Sequence, residues 1–387
     1  MAKRENNIDD IDVVDDFELE DIDDFDPFDV LDDSYEDEKS YGNSKPQGGN
    51  ISKKKNSKKK NPVLVWAGRV GATLLSTILV LVVFLYAVMA MLVYGPSKTA
   101  KIQFVLSVQE TSAIGFLANW FCSQDEIDEI KANNAIKDTD EITDAGLVNI
   151  DASAQDPETP DIEIVDVKGA TYSGKLMIVK DPSRLFVGTV PEFTNGNGMV
   201  VADIAKRYDA IGGVNGGEFI DGDTTYTAMP IGLVMKDGEV LNDNGGTSHV
   251  TGITFDNKLV LGNMNAAKAK ELNIRDCVSI SNHIGPFLIV NGEAQDVVGI
   301  AGGTNPRTAI GQTADGKILL LAIDGRQPNS IGATFSDLQD IMAQYGAVNA
   351  STMDGGTSTQ MYYDGEVINV PYSPTGPRSC PTAFLIK

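Results

Sequence analysis

Apolar positions along this chain fall into two regimes. From Val70 to Tyr94 no residue is charged, and those 25 residues form one continuous apolar stretch. As a helix rising about 1.5 Å per residue it reaches about 37 Å, which crosses a hydrocarbon core of about 30 Å with some tilt. Trp66 marks one interface, Tyr86 and Tyr94 the other, and Gly95-Pro96 ends the helix. Beyond about residue 160 the apolar residues come instead in short runs. Lys175–Lys180, Leu185–Val190, Ile231–Lys236, Gly252–Phe255, Leu259–Gly262, Phe287–Val290, Thr308–Gln312, Ile318–Ile323 and Gln360–Tyr363 read as strands. Asp237-Gly238, Asn291-Gly292, Asp315-Gly316 and Asp364-Gly365 fall between such runs and predict hairpin turns. Two segments carry a helical period. Val200–Tyr208 places Val201, Ile204, Ala205 and Tyr208 on one face. The other opens with Thr334 and Asp337 as a capping box, shows a Leu338, Ile341 and Met342 stripe, and stops at Gly346.

This pattern predicts an α+β domain over residues 161–387, a mixed, mostly antiparallel sheet with a few packed helices. At 387 residues the whole chain is long enough for two or three domains, but composition removes much of it from that count. Residues 96–160 are expected to be a connecting stalk. Within it Ile102–Phe121 is mixed apolar and suits a short helix against the membrane surface or the main domain. Residues 124–160 are acidic, end in Asp156-Pro157-Glu158-Thr159-Pro160, and are expected to have little structure of their own.

Charge adds orientation. The net charge is −24, concentrated in residues 1–40, where Asp and Glu crowd and almost no cation follows Arg4 until Lys39. Such a segment repels itself and buries too little apolar surface to offset its ordering entropy, so residues 1–61 are expected to be a disordered tail. Phe17, Phe25, Phe28 and Tyr35 punctuate it, so it is either a solvated tail or a docking segment for a cytoplasmic partner. It ends in six lysines among the eight residues Lys53–Lys60. Read alone, that cluster suits nucleic acid; placed just before an apolar span, it suits anionic lipid headgroups and no nucleic acid. The lysine bias puts the N-terminus in the cytoplasm and everything past residue 95 outside, with residues 62–95 as a single membrane span. A cleaved signal peptide fits poorly, because the run is too long and starts too far in. Three cysteines, Cys122, Cys277 and Cys380, make neither a disulfide framework nor a zinc site. Cys277 and Cys380 are either a pair or two buried small residues.

Candidate chemistry sits where polar residues and glycines interrupt the apolar runs, in four places: Gly212–Phe219, Asn305–Gly311, Ile323–Arg326 with Ser330–Thr334, and Met353–Thr359. Arg307 and Asp324 lie at opposite ends of one predicted hairpin, so they share a sheet edge. Asp354 is followed by Gly355, Gly356, Thr357, Ser358 and Thr359, a carboxylate beside a flexible backbone and three hydroxyls. Glycines there let backbone N–H groups approach an anion, and an arginine binds the same anion with a planar fork. The sum reads as a phosphate site with acidic residues nearby.

In order along the chain, Val214-Asn-Gly-Gly-Glu-Phe219, Pro306-Arg-Thr-Ala-Ile-Gly311, Ala322-Ile-Asp-Gly-Arg326 and Asn349-Ala-Ser-Thr-Met-Asp-Gly-Gly-Thr-Ser358 resemble the phosphodiester glycosidase family. The resemblance runs from about Val165 to Lys387 and leaves residues 1–160 uncovered. One departure is Thr357, where members of the family often have glycine. The resemblance implies hydrolysis of the C1–O bond of a sugar linked through phosphate to a second group. A phosphate monoester leaves with a second pKa of about 6, so its departure needs charge neutralisation more than protonation. Arg307 and the 354–359 loop would supply that. A carboxylate must face the oxocarbenium-like carbon as nucleophile or base, and Asp324, Asp354 and Glu218 are the candidates. Asn215 and Arg326 would orient the substrate, and His283 is a candidate lining residue. The expected substrate is a phosphate-containing glycan, such as a cell-envelope or exopolysaccharide polymer, without a cofactor. Two alternatives stand: a phosphodiesterase in which Asp324, Asp354 and Glu218 hold a divalent cation, and a non-catalytic module that binds phosphoglycans.

Overall fold

The structure, a computed structural model, describes residues 62–111, 114–150, 160–220, 227–281, 285–373 and 376–387. The acidic tail, the lysine cluster and His283 lie outside the described residues. The chain divides into two compact units, residues 1–69 and 70–387. Of the first only residues 62–69, the opening turns of α1, are described.

Helix α1 (Pro62–Tyr94) is long and apolar enough to cross a membrane by length and composition. Its end packs into a small helical core with α2 (Lys98–Gln109), α3 (Phe116–Asn119) and α4 (Gln124–Ala132), closed by Val93, Val105, Val108, Ala118, Phe121 and Ile127. Ser97 caps α2 and Ser123 caps α4, each side chain accepting from a first-turn N–H. The expectation that residues 124–160 have little structure of their own is therefore corrected for residues 124–149; residues 151–159 lie outside the described residues. Besides α4, the run from Asn134 to Asn149 docks on the sheets through backbone hydrogen bonds to Asp296, Leu261 and Ala314. Ile136 and Ile142 pack against apolar clusters of the main domain. Its acidic composition hid this, because the anchoring is by backbone groups and a few spaced isoleucines.

The domain proper starts with β1 (Ile162–Lys168), β2 (Ser173–Val179), β3 (Leu185–Thr189), α5 (Val201–Arg207) and β4 (Gly212–Asn215). Then come β5 (Val234–Lys236), β6 (Glu239–Asn242), β7 (Ser248–Thr254), β8 (Leu259–Met264), α6 (Ala266–Glu271) and β9 (Ile274–Ile280). The last part holds β10 (Phe287–Val290), β11 (Glu293–Ala294), β12 (Arg307–Thr313), β13 (Ile318–Ile323) and α7 (Phe335–Gln344). It ends with β14 (Ala347–Met353), β15 (Met361–Tyr363), β16 (Glu366–Val367) and β17 (Thr382–Ile386). They form three sheets with orders β1-β2-β13-β12-β14-β10-β11, β16-β15-β4-β17-β3 and β6-β5-β9-β7-β8. Every described strand pair is antiparallel. The architecture is the expected α+β class.

The continuous apolar run Ile318–Ile323 is what a strand covered on both faces requires. Ile318, Leu320 and Ala322 enter the core between the large sheet and the two smaller ones. Leu319, Leu321 and Ile323 enter the core beneath α7 with Phe335, Leu338 and Met342. The predicted capping box of α7 is formed: Thr334 Oγ1 accepts from Asp337 N, and the Asp337 carboxylate accepts from Thr334 N at 2.7 Å. Asp237-Gly238, Asn291-Gly292 and Asp364-Gly365 all have positive φ at both residues, as tight hairpins demand. Cys122, Cys277 and Cys380 are free and buried, so the Cys277–Cys380 pairing is not made. Burial pushes the Cys277 and Cys380 thiols up to about 12, which keeps both protonated.

Candidate functional site

Sheet register assembles the site. In the large sheet β12 lies between β13 and β14, with Arg307 opposite Ile323 and Thr308 opposite Met353. Asp324 and Asp354 are the residues immediately after those partners, so both acids emerge on either side of Arg307 at one sheet edge. The loop after Asp354 then folds back over this edge. Gly356 N donates to Pro306 O at 2.9 Å, and Gly356–Ser358 makes a single 3-10 turn. A Cβ on Gly355 would stand 2.9 Å from Pro306 O, and one on Gly356 would stand 3.4 Å from Arg326 Nη2. Gly356 also has φ +61, so glycine is what lets the loop lie on the arginine.

Each predicted residue among the described ones has a definite place. Asn215 is buried at the seam of two sheets: its Oδ1 accepts from Thr308 Oγ1 at 2.8 Å and Gln360 N at 3.2 Å. Its Nδ2 donates to Asp354 O at 2.6 Å, which fixes the start of the loop. Asp324 is buried, and its Oδ1 accepts from Val370 N at 2.8 Å and Asn369 Nδ2 at 3.0 Å. Burial raises its carboxyl above the usual carboxylate range against the pull of those two donors. Asp354 is half-buried. Glu218 is drawn elsewhere: its Oε2 accepts from Ser281 N at 2.8 Å and from the Ser281 hydroxyl. The three acids that the divalent-cation alternative would group are thus differently engaged, and among the described residues no three His, Cys, Asp or Glu side chains group as metal ligands.

Arg307 stands at the expected sheet edge, but its guanidinium turns away from the 354–359 loop. Its side chain points to the α7 face, opposite to its neighbour Thr308, because residues alternate along a strand. There its guanidinium stacks on Phe335 at 3.9 Å and donates to Gly303 O, Ala333 O and the Glu110 carboxylate. The arginine whose guanidinium lies against the glycine loop is Arg326. Its backbone has φ +58, an uncommon conformation for a side-chain-bearing residue. Burial, then the nearby Arg307, lower its pKa, and Glu110 opposes this. Thr357, the departure from the family's pattern, accepts from Arg378 Nη1 at 3.4 Å. The hydroxyls of Ser358 and Thr359 are buried without a hydrogen-bond partner among the described residues.

Sequence reasoning missed Glu110, Thr111, Asn369 and Arg378. The first two sit in the connecting region, and Asn369 and Arg378 in irregular segments after the last quoted motif. None carries a local signal; only contacts distant in sequence bring them in, Thr111 through Arg326 Nη2, which donates to its Oγ1 at 2.6 Å. A surface hollow of about 390 Å3 lies at the opposite end of β12 and β13, lined by Glu163, Lys317 and Tyr345, away from these residues.

Residues 208–387 match the family model described as phosphodiester glycosidase. Its members are hydrolases acting on phosphodiester glycosidic bonds. The SPbeta prophage-derived uncharacterized protein YomE of Bacillus subtilis (strain 168) is 26% identical over 196 residues, 49% of this chain and 29% of that protein. The N-acetylglucosamine-1-phosphodiester alpha-N-acetylglucosaminidase of Mus musculus is 25% identical over 225 residues, 53% of this chain and 42% of that protein. The chain thus spans less than half the length of either curated relative. The zebrafish N-acetylglucosamine-1-phosphodiester alpha-N-acetylglucosaminidase catalytic domain, solved auto-inhibited by its pro-peptide, superposes with a TM-score of 0.49 at 22% identity, covering 60% of this chain and 85% of that one.

Proposed function

We propose that this chain, whose residues 208–387 match the phosphodiester glycosidase family model, hydrolyses the sugar C1–O bond of sugar-1-phosphodiesters. The observation that carries the reading is the register of β12, β13 and β14, which sets Asp324 and Asp354 at one edge beneath a glycine loop resting on Arg326. Arg326, with Arg378 behind Thr357, neutralises the departing phosphate, and the N–H groups of the 355–358 loop share the load. Asp354, half-buried and fixed through Asn215, is the carboxylate that faces the anomeric carbon. Asp324, whose carboxyl burial raises above the usual carboxylate range, is its partner at the same edge and binds a sugar hydroxyl. Glu218, bonded to Ser281, shapes the sugar pocket. Arg307 acts as a support beneath the site. The proposal invokes no cofactor.

The reading extends to place. Helix α1 spans the membrane with the N-terminus in the cytoplasm, and the domain works outside on phosphate-containing glycans of the cell envelope. Support comes from the apolar span and the lysines before it.

The test uses the full chain in detergent with UDP-N-acetylglucosamine and synthetic sugar-1-phosphodiesters. Free sugar is the expected product, carrying the label when the water is oxygen-labelled, with Asp354→Asn inactive and Arg326→Ala slowed about 10²–10³-fold. Release of sugar phosphate would mean P–O cleavage. A folded chain that binds these ligands without turnover would be a binding module.

A further inference from the structure

The segment between the apolar helix and the sheets holds two side chains inside the arginine cluster, and neither belongs to a motif of the domain. Glu110, the residue after α2, accepts from Gly303 N at 3.0 Å, from Asn305 Nδ2 at 2.7 Å and from Arg307 Nη2. Thr111 Oγ1 accepts from Arg326 Nη2 at 2.6 Å and donates to Ser107 O at 3.0 Å. We propose that residues 98–111 form one wall of the phosphate site, with Glu110 and Thr111 as positioning residues for Arg326. The identity of the anion rests on the glycosidase reading; the positioning does not.

An asparagine amide has one donor end and one acceptor end. Because Glu110 takes the Nδ2 of Asn305, its Oδ1 must face the other way, and there it accepts from Arg326 Nε at 3.3 Å and Nη2 at 3.0 Å. Glu110 thus sets the acceptor that holds Arg326, and Thr111 supplies another. An arginine side chain is rich in rotamers, so an unheld Arg326 must be ordered anew by each substrate. Glu110 has a second effect. It compensates the buried charge of Arg307, which otherwise repels its neighbour and has no nearby carboxylate of its own domain bonded to it among the described contacts. The charge of Arg326 is then left for the ligand.

The contact is closely fitted. A Cβ on Gly303 would stand 2.5 Å from Ser107 N, so α2 rests directly on the backbone before Asn305. Gln103 Nε2 adds a hydrogen bond to Thr304 Oγ1 at 2.8 Å. Such a fit suits a fixed wall. The rival is that the Glu110 carboxylate sits in the anion's own place and competes with it, and the two differ in sign.

The experiment measures inorganic phosphate affinity by calorimetry and sugar release from UDP-N-acetylglucosamine, on the full chain in detergent. Thr111→Val removes one acceptor without changing charge or shape. It is expected to weaken phosphate binding and lower kcat/KM about tenfold with an unchanged melting temperature. Glu110→Gln is expected to weaken binding and turnover likewise, although it removes a negative charge, because its amide faces a donor whichever way it turns, and to melt lower because the buried Arg307 loses its carboxylate. Glu110→Gln with Asn305→Asp exchanges amide and carboxylate, restores an acceptor for Arg326, and is expected to recover most of the loss. Tighter phosphate binding or faster turnover in Glu110→Gln would make the carboxylate a competitor and overturn the proposal. So would Thr111→Val behaving as the parent, or a parent that binds no phosphate. A parent that binds phosphate but releases no sugar, with Thr111→Val still weaker, would sink the glycosidase reading and leave the positioning intact.

Discussion

Asp324 shows what one residue decides. Burial raises its carboxyl, so the folded chain holds that proton more tightly than the unfolded chain does. The stability it contributes is full below the unfolded carboxylate value and is lost as pH rises through the folded one. Asp324→Asn removes that loss and keeps an acceptor for Val370 N and Asn369. Its melting temperature is expected to equal or exceed the parent's near pH 7 and to converge with it below about pH 4, where the parent is protonated too. A variant that melts lower at neutral pH would show that the charged hydrogen bonds outweigh burial. Gly356 is the second case. With φ +61 and Arg326 in contact, Gly356→Ala is expected to cost about 1–2 kcal/mol in denaturant unfolding and to weaken phosphate binding.

Among the elements, α7 and β14 were unequally legible. The start of α7 was written in Thr334 and Asp337, and the capping box formed as read. Thr334→Ala should lower stability by about 1 kcal/mol, visible as a fall of about 2–4 °C in thermal melting, while phosphate affinity stays within twofold. Strand β14 was missed, although it delivers Asp354. Its run Asn349-Ala-Ser-Thr reads as polar, yet all of it is buried. Ser351 Oγ accepts from Thr251 Oγ1 at 3.0 Å, Thr352 Oγ1 donates to Pro286 O at 3.1 Å, and Asn349 Oδ1 accepts from Asn291 N at 2.9 Å. A hydropathy pattern cannot see a polar seam whose partners come from other strands.

At the scale of the whole molecule, the connecting region changes most between sequence and structure. Its docked run makes the domain larger than residues 161–387. A fragment of residues 97–387 is expected to resist limited proteolysis and melt cooperatively. Residues 161–387 alone lose Ile136, Ile142, Glu110 and Thr111 and should melt lower and bind phosphate less. Equal melting and binding of the two fragments would make the docked run dispensable. The span is tested separately: the full chain should stay with membranes in alkaline carbonate, and deletion of residues 62–94 should release it.

Local pattern alone determined the apolar span, the hairpin turns, the capped helix and the order of the four motifs, because each depends on residues close in the chain. It also brought Arg307 and Asp324 to one edge, since a hairpin is a short-range object. Tertiary structure decided which arginine meets the glycine loop. Strand alternation turns Arg307 toward Phe335, and the loop crosses to Arg326 instead. Only the fold could bring in Glu110, Thr111, Asn369 and Arg378. The reason is physical: a hydrogen bond across some two hundred residues leaves no trace in the periodicity of either partner's neighbourhood.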